Sequence, residues 1–273
     1  MKPFRAIVLA ILLTGCTQSL RGPLTLHAPP TLPSRYGVVR EQLVLHGDFP
    51  LASHHRMFEE LVALRGDLCK RLELPSSDEP IDVYLFETPE RFKAFMRLNH
   101  PGLPQRRAFF IETDTQLKVY AQWGDRLTED LRHEVTHCYV HAVVPNLPLW
   151  LDEGLAEYFE VARGRNGLNR DHLELLEQRL GQGGWQPDIA RLERLDPSVD
   201  MSQEDYAESW AWVYLMLSTD ESHRKLFCDY LRELRRDGSA QPLSTRLARL
   251  TNRPADQLSA QLRQLTATGR RSR

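Results

Sequence analysis

The apolar residues in the first half of the chain follow strand-like and helix-like spacings in turn. A valine- and leucine-rich run at Tyr36–Leu45 predicts a strand, and Ile81–Phe86 predicts a second, compact one. Between them, His54–Leu74 carries apolar residues at helical spacing, namely Met57, Leu61, Leu64, Leu68 and Leu72. Ala108–Ile111 and Leu117–Ala121 flank a Thr-Asp-Thr turn and predict a hairpin. This half is therefore predicted to mix strands and helices.

Turn and cap residues predict where the helices of this region begin and end. Thr88 precedes Pro89, so a helix is expected to start there with the threonine as its cap. Asp125 is expected to cap the helix that follows the hairpin. Pro145 should stop that helix, and Pro148 should open the next one, near a helix start where its missing N–H costs little.

Beyond Phe159 the pattern favours helices alone. Glycine-rich segments at residues 164–167 and 181–184 punctuate the chain. A helix is predicted around residues 203–218, with one stripe formed by Tyr206, Trp210, Val213, Tyr214 and Leu217. The predicted fold class is α+β, with a mixed β-sheet region followed by an all-helical one.

The most informative chemistry lies at residues 133–137, which read H-E-x-x-H within a helical pattern. Residues four apart lie on one helix face, so His133 and His137 have the spacing with which two imidazoles share one zinc ion. Glu134 lies about 100° round the helix and is placed to take a proton from a water that the metal activates. The alternative is a solvated helix face that carries two histidines by chance.

A third metal ligand is expected from the following helix, because catalytic zinc usually takes three protein ligands. The short loop after Pro145 favours a return of the chain towards the histidines. Glu153 and Glu157 share one face of the predicted helix, and Leu151, Leu155 and Phe159 form its apolar stripe. One glutamate can bind the metal, and the other can orient a ligating imidazole.

The segments HEVTH and WLDEGLAEY together resemble the gluzincin metallopeptidases. The closest resemblance is to the peptidase-MA-like domains of bacterial proteins, over roughly residues 36–235. It implies that Glu153 is the third ligand of one Zn2+ and that Glu157 supports the first histidine. It also implies a two-lobed zincin-like fold, with an α/β lobe at 36–145 that ends in the H-E-x-x-H helix and a helical lobe at 146–265. No G-x-M-E-N segment precedes the histidines, so aminopeptidase activity is not expected.

The same resemblance implies a hydroxyl or imidazole donor from the helical lobe for the negative charge that develops during peptide hydrolysis. Tyr206, at the start of a predicted helix, is the candidate, although it can equally serve as a packing residue; Tyr214 and His172 are the alternatives. His141 continues the spacing of the motif, but the rise from His133 is about 12 Å, so it is interpreted as packing or solvated.

The amino-terminal residues predict export and lipid anchoring. A short basic segment precedes eight apolar residues at 6–13, too few for a stable membrane span, so residues 1–15 are interpreted as a cleaved signal peptide. Leu13-Thr14-Gly15-Cys16 resembles the bacterial lipobox, which implies lipidation of Cys16. Residues 16–35 contain four prolines and are expected to form a tether. Because Thr17 follows the cysteine, the periplasmic face of an outer membrane is favoured over the inner membrane.

The charge composition gives no support for one class of partner, nucleic acid. Thirty-five basic and thirty-seven acidic residues give no overall electrostatic bias, so nucleic acid is not an implied partner. Beyond Cys16, three cysteines cannot all pair within one chain, and Cys138 is interpreted as a small buried residue. Residues 266–273 are interpreted as a basic tail.

Two functional hypotheses follow. The first is a zinc-dependent metallopeptidase, an endopeptidase acting on envelope or extracellular polypeptides. The second is a lipid-anchored binding or scaffold protein that retains a peptidase-like fold without turnover. The two histidines, the base and the ligand-type glutamate are all present in the sequence, which favours the hydrolase. Substrate preference and oligomeric state do not follow from the sequence.

Overall fold

The part of the chain that the structure describes combines one β-sheet with a larger set of helices. The structure is a computed structural model, and it describes residues 31–196, 198 and 200–271. The predicted signal peptide, Cys16 and the tether up to residue 30 lie outside the described residues. Over the described ranges the fold is α+β, with a mixed five-stranded sheet and ten α-helices. The predicted fold class is confirmed at this level.

The sheet places one hairpin at each of its edges. The strands are β1 (Tyr36–Arg40), β2 (Leu43–Gly47), β3 (Ile81–Phe86), β4 (Ala108–Thr113) and β5 (Gln116–Gln122). Their order is β1-β2-β3-β5-β4. The central β2–β3 and β3–β5 pairs are parallel, whereas β1–β2 and β4–β5 are antiparallel. The predicted hairpin is confirmed as β4–β5, and it leaves β4 as an edge strand.

The single strand predicted at Tyr36–Leu45 is wrong, because this segment folds into the β1–β2 hairpin. Glu41 lies between the two strands in the left-handed region, with φ 49°. Its carboxylate accepts a hydrogen bond of 2.8 Å from Arg65 Nη1 on the first helix. Arg40, Glu41 and Gln42 interrupt the apolar residues at this turn, but neither glycine nor proline marks it, so the two strands were predicted as one.

Helices cover both faces of the sheet. These helices are α1 (Arg56–Leu72), α2 (Pro89–Asn99) and α3 (Leu127–His141). Helices α1 and α3 share one apolar core with the strands, through Leu61, Leu64, Leu68, Leu131, Val135, Ile81, Val83 and Val119. Helix α2 contributes to a smaller cluster on other side chains of the sheet, formed by Phe86, Phe92, Phe95, Met96, Phe109 and Tyr120. The sheet therefore holds α3, which carries the H-E-x-x-H motif, in a rigid layer.

One predicted cap is confirmed and one is wrong. Thr88 Oγ1 accepts a hydrogen bond from the backbone N–H of Arg91, so it caps α2 as predicted. Asp125 does not cap α3, because Arg126 occupies the N-cap position and its side chain makes no capping hydrogen bond. A hydrogen bond of 3.1 Å from Leu127 N to Gly124 O closes a turn before the helix. The N-cap position therefore lies one residue after Asp125.

The rest of the described chain is helical. It forms α4 (Leu149–Phe159), α5 (Arg170–Gln182), α6 (Ile189–Leu192), α7 (Gln203–Ser218), α8 (Glu221–Asp237), α9 (Leu243–Leu250) and α10 (Pro254–Arg271). Helix α10 thus extends into the segment assigned to a basic tail. Among the described residues, no helix combines the length and the apolar character needed to span a membrane. Cys69, Cys138 and Cys228 are all unpaired, and Cys138 is fully buried as predicted.

Candidate metal centre

Helix α3 presents the three residues of the H-E-x-x-H motif from a well-packed base. His133 and His137 lie one turn apart, with ring centroids separated by 5.0 Å and planes at 74°. Leu131 and Val135 on the same helix are completely buried in the main core. Glu134 is also buried. The packing of α3 therefore fixes the direction in which the motif points.

Helix α4 brings acidic residues back to these histidines. Pro148 occupies the N-cap of α4, so the predicted helix start is confirmed. Gly154 lets α4 pack closely against α7, because a Cβ at this position would lie 2.7 Å from the backbone oxygen of Ser209. The glycine thus sets the depth at which the preceding residue, Glu153, meets the histidines.

Three ligand-type atoms converge between α3 and α4. Glu153 Oε2 lies 3.5 Å from Nε2 of His133 and 3.9 Å from Nε2 of His137. One ligand atom from each residue lies within 4.8 Å of the others, so the group could hold a metal ion. Glu153 Oε2 is buried and has no hydrogen-bond partner among the described residues. Tetrahedral zinc ligands at 2.0–2.1 Å lie roughly 3.3 Å apart, so these atoms suit one zinc ion after a small adjustment.

The carboxylate that supports His133 is Glu160. Its Oε2 lies 2.9 Å from His133 Nδ1, and its Oε1 accepts a 2.9 Å hydrogen bond from Asn169 Nδ2. The predicted partner, Glu157, is instead hydrogen-bonded to His172 Nε2 at 2.7 Å. Glu157 still lies close to the first histidine, within the same group of potential ligands. The assignment of the supporting role to Glu157 is corrected on this geometry.

The second histidine has a different partner, Asp152. Its Oδ1 lies 2.7 Å from His137 Nδ1, and its Oδ2 lies 3.0 Å from His141 Nε2. His141 Nδ1 in turn lies 2.7 Å from Glu112 Oε2 on β4. His141 is therefore neither solvated nor a packing residue alone, because both of its ring nitrogens are hydrogen-bonded.

Sequence reasoning missed the supporting roles of Asp152, Glu160 and Glu112, although Glu160 left a usable signal. Glu160 follows Glu153 by seven residues, which is two helical turns, so both project from one face of α4. Extending the helix by one residue would have brought it into consideration. Glu112 approaches from β4, and no local pattern relates a strand residue to a helix 29 positions later.

The carboxylates surround the two histidines with negative potential. Burial lowers the pKa of His133, but the nearby carboxylate of Glu153 and a hydrogen bond to Glu160 hold it well above its ordinary value. Burial likewise opposes the charged form of His137, and Asp152 raises its pKa. Burial raises the pKa of Asp152 and of Glu153, yet the neighbouring histidines bring both below their ordinary values. A divalent cation at this position would be stabilised by the same potential.

A cavity of about 630 Å3 opens beside the ligand group, and His133, Glu134 and Tyr206 line it. Arg106 Nη2 donates a 2.9 Å hydrogen bond to the Tyr206 hydroxyl oxygen. Since that oxygen accepts, the hydroxyl proton is available to another acceptor. Burial and Glu153 raise the pKa of Tyr206, while Arg106 lowers it, and the net result keeps the hydroxyl protonated at neutral pH. The predicted donor therefore lies on the cavity wall.

The two alternative donors lie in other surroundings. Tyr214 packs against Tyr158 and Trp210, with centroid distances of 6.0 and 5.5 Å. His172 is engaged by Glu157. Neither lines the cavity that His133 and Tyr206 share.

Glu134 is held at the end of the cavity nearest the sheet. Its Oε2 accepts a 2.7 Å hydrogen bond from the backbone N–H of Phe110 on β4. The Phe110 ring lies nearly parallel to that of His137, with centroids 5.8 Å apart. The predicted base and one predicted ligand are thus both fixed by the edge strand.

Comparison with protein families gives a match over part of the chain. A family model described as "Protein of unknown function (DUF1570)" matches residues 128–241, less than half of the 273-residue chain. No curated protein matches the chain. The matched segment includes the motif histidines, Glu153, Glu160 and Tyr206, but not Glu112 or Arg106. The chain is therefore similar to that family over the segment that supplies the candidate ligands.

Proposed function

We propose that this protein is a zinc-dependent metallopeptidase of the gluzincin type, with a zincin-like fold, and that His133, His137 and Glu153 bind one Zn2+. The observation that carries the proposal is the buried Glu153 Oε2, which lacks a hydrogen-bond partner among the described residues and faces two imidazole Nε2 atoms. A buried carboxylate oxygen without a partner is costly, and a bound cation would remove that cost. Both Nδ1 atoms are already engaged by carboxylates, which leaves the Nε2 lone pairs for a metal.

A zinc ion held there would polarise the carbonyl group of a substrate and lower the pKa of a water molecule. Glu134 is the general base in this proposal, because it lines the cavity and is fixed through one oxygen by Phe110 N–H. Tyr206 donates a hydrogen bond from its hydroxyl group to the carbonyl oxygen as negative charge develops there. Arg106 supports this role by occupying the hydroxyl oxygen and directing the proton elsewhere.

A polypeptide substrate is favoured by the position of β4 at the edge of the sheet. The hydrogen bond from Gln122 N to Arg107 O makes these residues a bonded pair in the β4–β5 ladder. Because bonded pairs alternate along an antiparallel ladder, the main-chain groups of Ala108, Phe110 and Glu112 point away from β5. Since Phe110 N–H already donates to Glu134, an extended peptide would pair with Ala108, with Glu112 and with the carbonyl group of Phe110, beside Glu134. This arrangement supports an endopeptidase acting on envelope or extracellular polypeptides.

The decisive experiment combines zinc analysis with cleavage of a mixed peptide library by the purified full chain. We expect about one zinc per chain and hydrolysis that Glu134→Gln lowers by about 10²–10⁴-fold, the usual contribution of general acid–base catalysis. Zinc should remain, since the substitution leaves the ligands intact. Glu129→Gln is a matched control, because Glu129 lies on the same helix and lines the same cavity.

The outcomes separate the two functional hypotheses. Zinc binding without cleavage of any peptide would favour a binding or scaffold protein that retains the fold. Cleavage by Glu134→Gln at the rate of the wild type would show that another group is the base. A chain without zinc would contradict the metal centre itself.

We also propose that the protein is anchored in the bacterial envelope by lipid on Cys16, facing the periplasm at the outer membrane. The lipobox-like segment before Cys16 supports this location. Cys16→Ser should abolish lipid labelling and release the protein from the membrane fraction, because one residue carries the acyl chains. Unchanged labelling in this variant would identify another attachment point. Zinc content should not change in either fraction.

A further inference from the structure

His137, the second histidine of the motif, lies at the end of a continuous chain of hydrogen bonds. His137 Nδ1 meets Asp152 Oδ1 at 2.7 Å, and Asp152 Oδ2 meets His141 Nε2 at 3.0 Å. His141 Nδ1 then meets Glu112 Oε2 at 2.7 Å. The chain starts on β4, passes through α3 and α4, and returns to α3. Glu112 is its most solvent-accessible member, with 46% of its side chain exposed.

These contacts have hydrogen-bonding distances and not the spacing of a second metal site. His137, His141 and Asp152 also form a group that could hold an ion by proximity. However, atoms sharing one tetrahedral zinc lie roughly 3.3 Å apart, whereas His137 and Asp152 approach to 2.7 Å. His137 also directs its Nε2 towards Glu153. The group is therefore better described as a support for one metal ligand.

The positions of the ring protons determine how this chain of hydrogen bonds supports His137. For His137 Nε2 to offer its lone pair to a metal, the ring proton must be on Nδ1 and must be donated to Asp152. A carboxylate held through one oxygen can still rotate about its side-chain bonds. His141 donates to the second oxygen and so restricts that rotation, and Glu112 holds the His141 ring from its other nitrogen.

Aromatic packing strengthens the same arrangement. The Phe110 ring lies edge-on to His141, with centroids 5.1 Å apart at 74°, and stacks on His137 at 5.8 Å. Phe110 and Glu112 are alternate residues of β4, so one strand fixes both histidine rings. Packing alone does not distinguish the two ring orientations that a 180° flip relates. The hydrogen bonds determine which nitrogen of each ring faces which partner.

We propose that His141 and Glu112 are positioning residues that hold Asp152 and, through it, orient His137 for metal binding. The inference rests on the proposed zinc centre. Loss of outer partners of metal ligands typically lowers affinity by 10–100-fold. Because His141 acts one step further out, we expect about a tenfold loss of zinc affinity, at the lower end of that range.

The test measures the zinc dissociation constant of the full chain by competition with a chromophoric chelator, for His141→Ala, His141→Gln, Glu112→Ala and the wild type. His141→Ala should raise the constant about tenfold. His141→Gln should restore part of the affinity, since its amide can donate to Asp152. His54→Ala is the control, because His54 is an exposed histidine far along the chain from the site.

A merely structural role would lower the melting temperature of the zinc-free protein without changing zinc affinity. The thermodynamic cycle with Asp152→Asn distinguishes the two roles. If His141 acts through Asp152, adding His141→Ala to Asp152→Asn should cause almost no further loss of affinity. Losses that add fully, or unchanged affinity in both His141→Ala and Glu112→Ala, would overturn the inference. Should His141→Ala fail to fold, zinc affinity in the variant of the more exposed residue, Glu112→Ala, decides the question alone.

The same measurements separate this inference from the proposed function. A wild type that binds zinc but cleaves no peptide would contradict the peptidase and leave the positioning role in place. A wild type that binds zinc with variants of equal affinity would contradict the positioning role alone. A wild type that binds no zinc would contradict both.

Discussion

The two histidines of the motif lie in contrasting environments although they are one helical turn apart. His133 lines the cavity and is supported by Glu160, which is held by Asn169 at the start of α5. His137 is more buried, with 7% of its side chain exposed against 14% for His133. Its support comes from Asp152 and His141, close to the sheet. One ligand thus depends on the later helices, and the other on α3, α4 and the edge strand.

This difference indicates a division of labour within the proposed centre. The His133 side is open to the cavity and faces Tyr206, so substrate and water would approach there. The His137 side is closed by the Phe110 ring and by hydrogen bonds, so it is suited to anchoring the metal. Glu153 belongs to both sides, since its Oε2 faces both Nε2 atoms.

Removing the shared ligand should have the largest effect on the centre. Glu153→Ala deletes a direct bond to the metal, so zinc affinity should fall by more than the 10–100-fold typical of outer partners. Equilibrium dialysis followed by elemental analysis would measure the loss. Glu157→Ala, one turn further along α4, is the comparison variant and should lose far less zinc affinity than Glu153→Ala. Full zinc occupancy in Glu153→Ala would contradict the ligand assignment and direct attention to Glu157 and Asp152.

The second prediction tests whether the open side carries the chemistry. Tyr206→Phe keeps the ring and removes only the hydroxyl group that Arg106 positions. Loss of one such donor should lower kcat by about 10²–10³-fold, while zinc affinity and melting temperature stay near wild type. Tyr214→Phe controls for loss of a tyrosine hydroxyl away from the cavity. An unchanged kcat in Tyr206→Phe would assign this residue to packing.

The fold was predictable wherever local periodicity decides structure. The helix at Arg56–Leu72 and the strand at Ile81–Phe86 follow directly from apolar spacing and cap residues. The β1–β2 hairpin was not predicted, because a glutamate in the left-handed region, Glu41, makes its turn. Sheet order was equally beyond local pattern, since it depends on parallel pairing between strands far apart in the sequence.

The same distinction between local pattern and tertiary packing applies to the candidate site. Helical spacing pointed to His133 and His137, and a short loop predicted that a glutamate of α4 lies near them, but the choice of Glu153 came from the resemblance to gluzincins. The carboxylates that support the histidines were harder to predict, since a hydrogen-bond partner depends on rotamers and on the depth of helix packing. Asn169 donates to both Glu157 and Glu160, and the two differ in the histidine that each one binds: His133 for Glu160 and His172 for Glu157.

The smallest expected effect sharpens the comparison between the two histidines. Glu160→Gln should weaken zinc binding by about 10–100-fold, as is usual when the partner of a ligating imidazole is lost. The loss should lie near the lower end, because the amide oxygen can still accept from His133 Nδ1. Glu157→Gln should cause a smaller loss, since it removes a nearby negative charge and alters contacts to His172 and Asn169, none of which bonds directly to His133. Chelator competition on both variants in parallel gives the answer. If Glu157→Gln has the larger effect, the residue that supports His133 in solution is Glu157 and not Glu160.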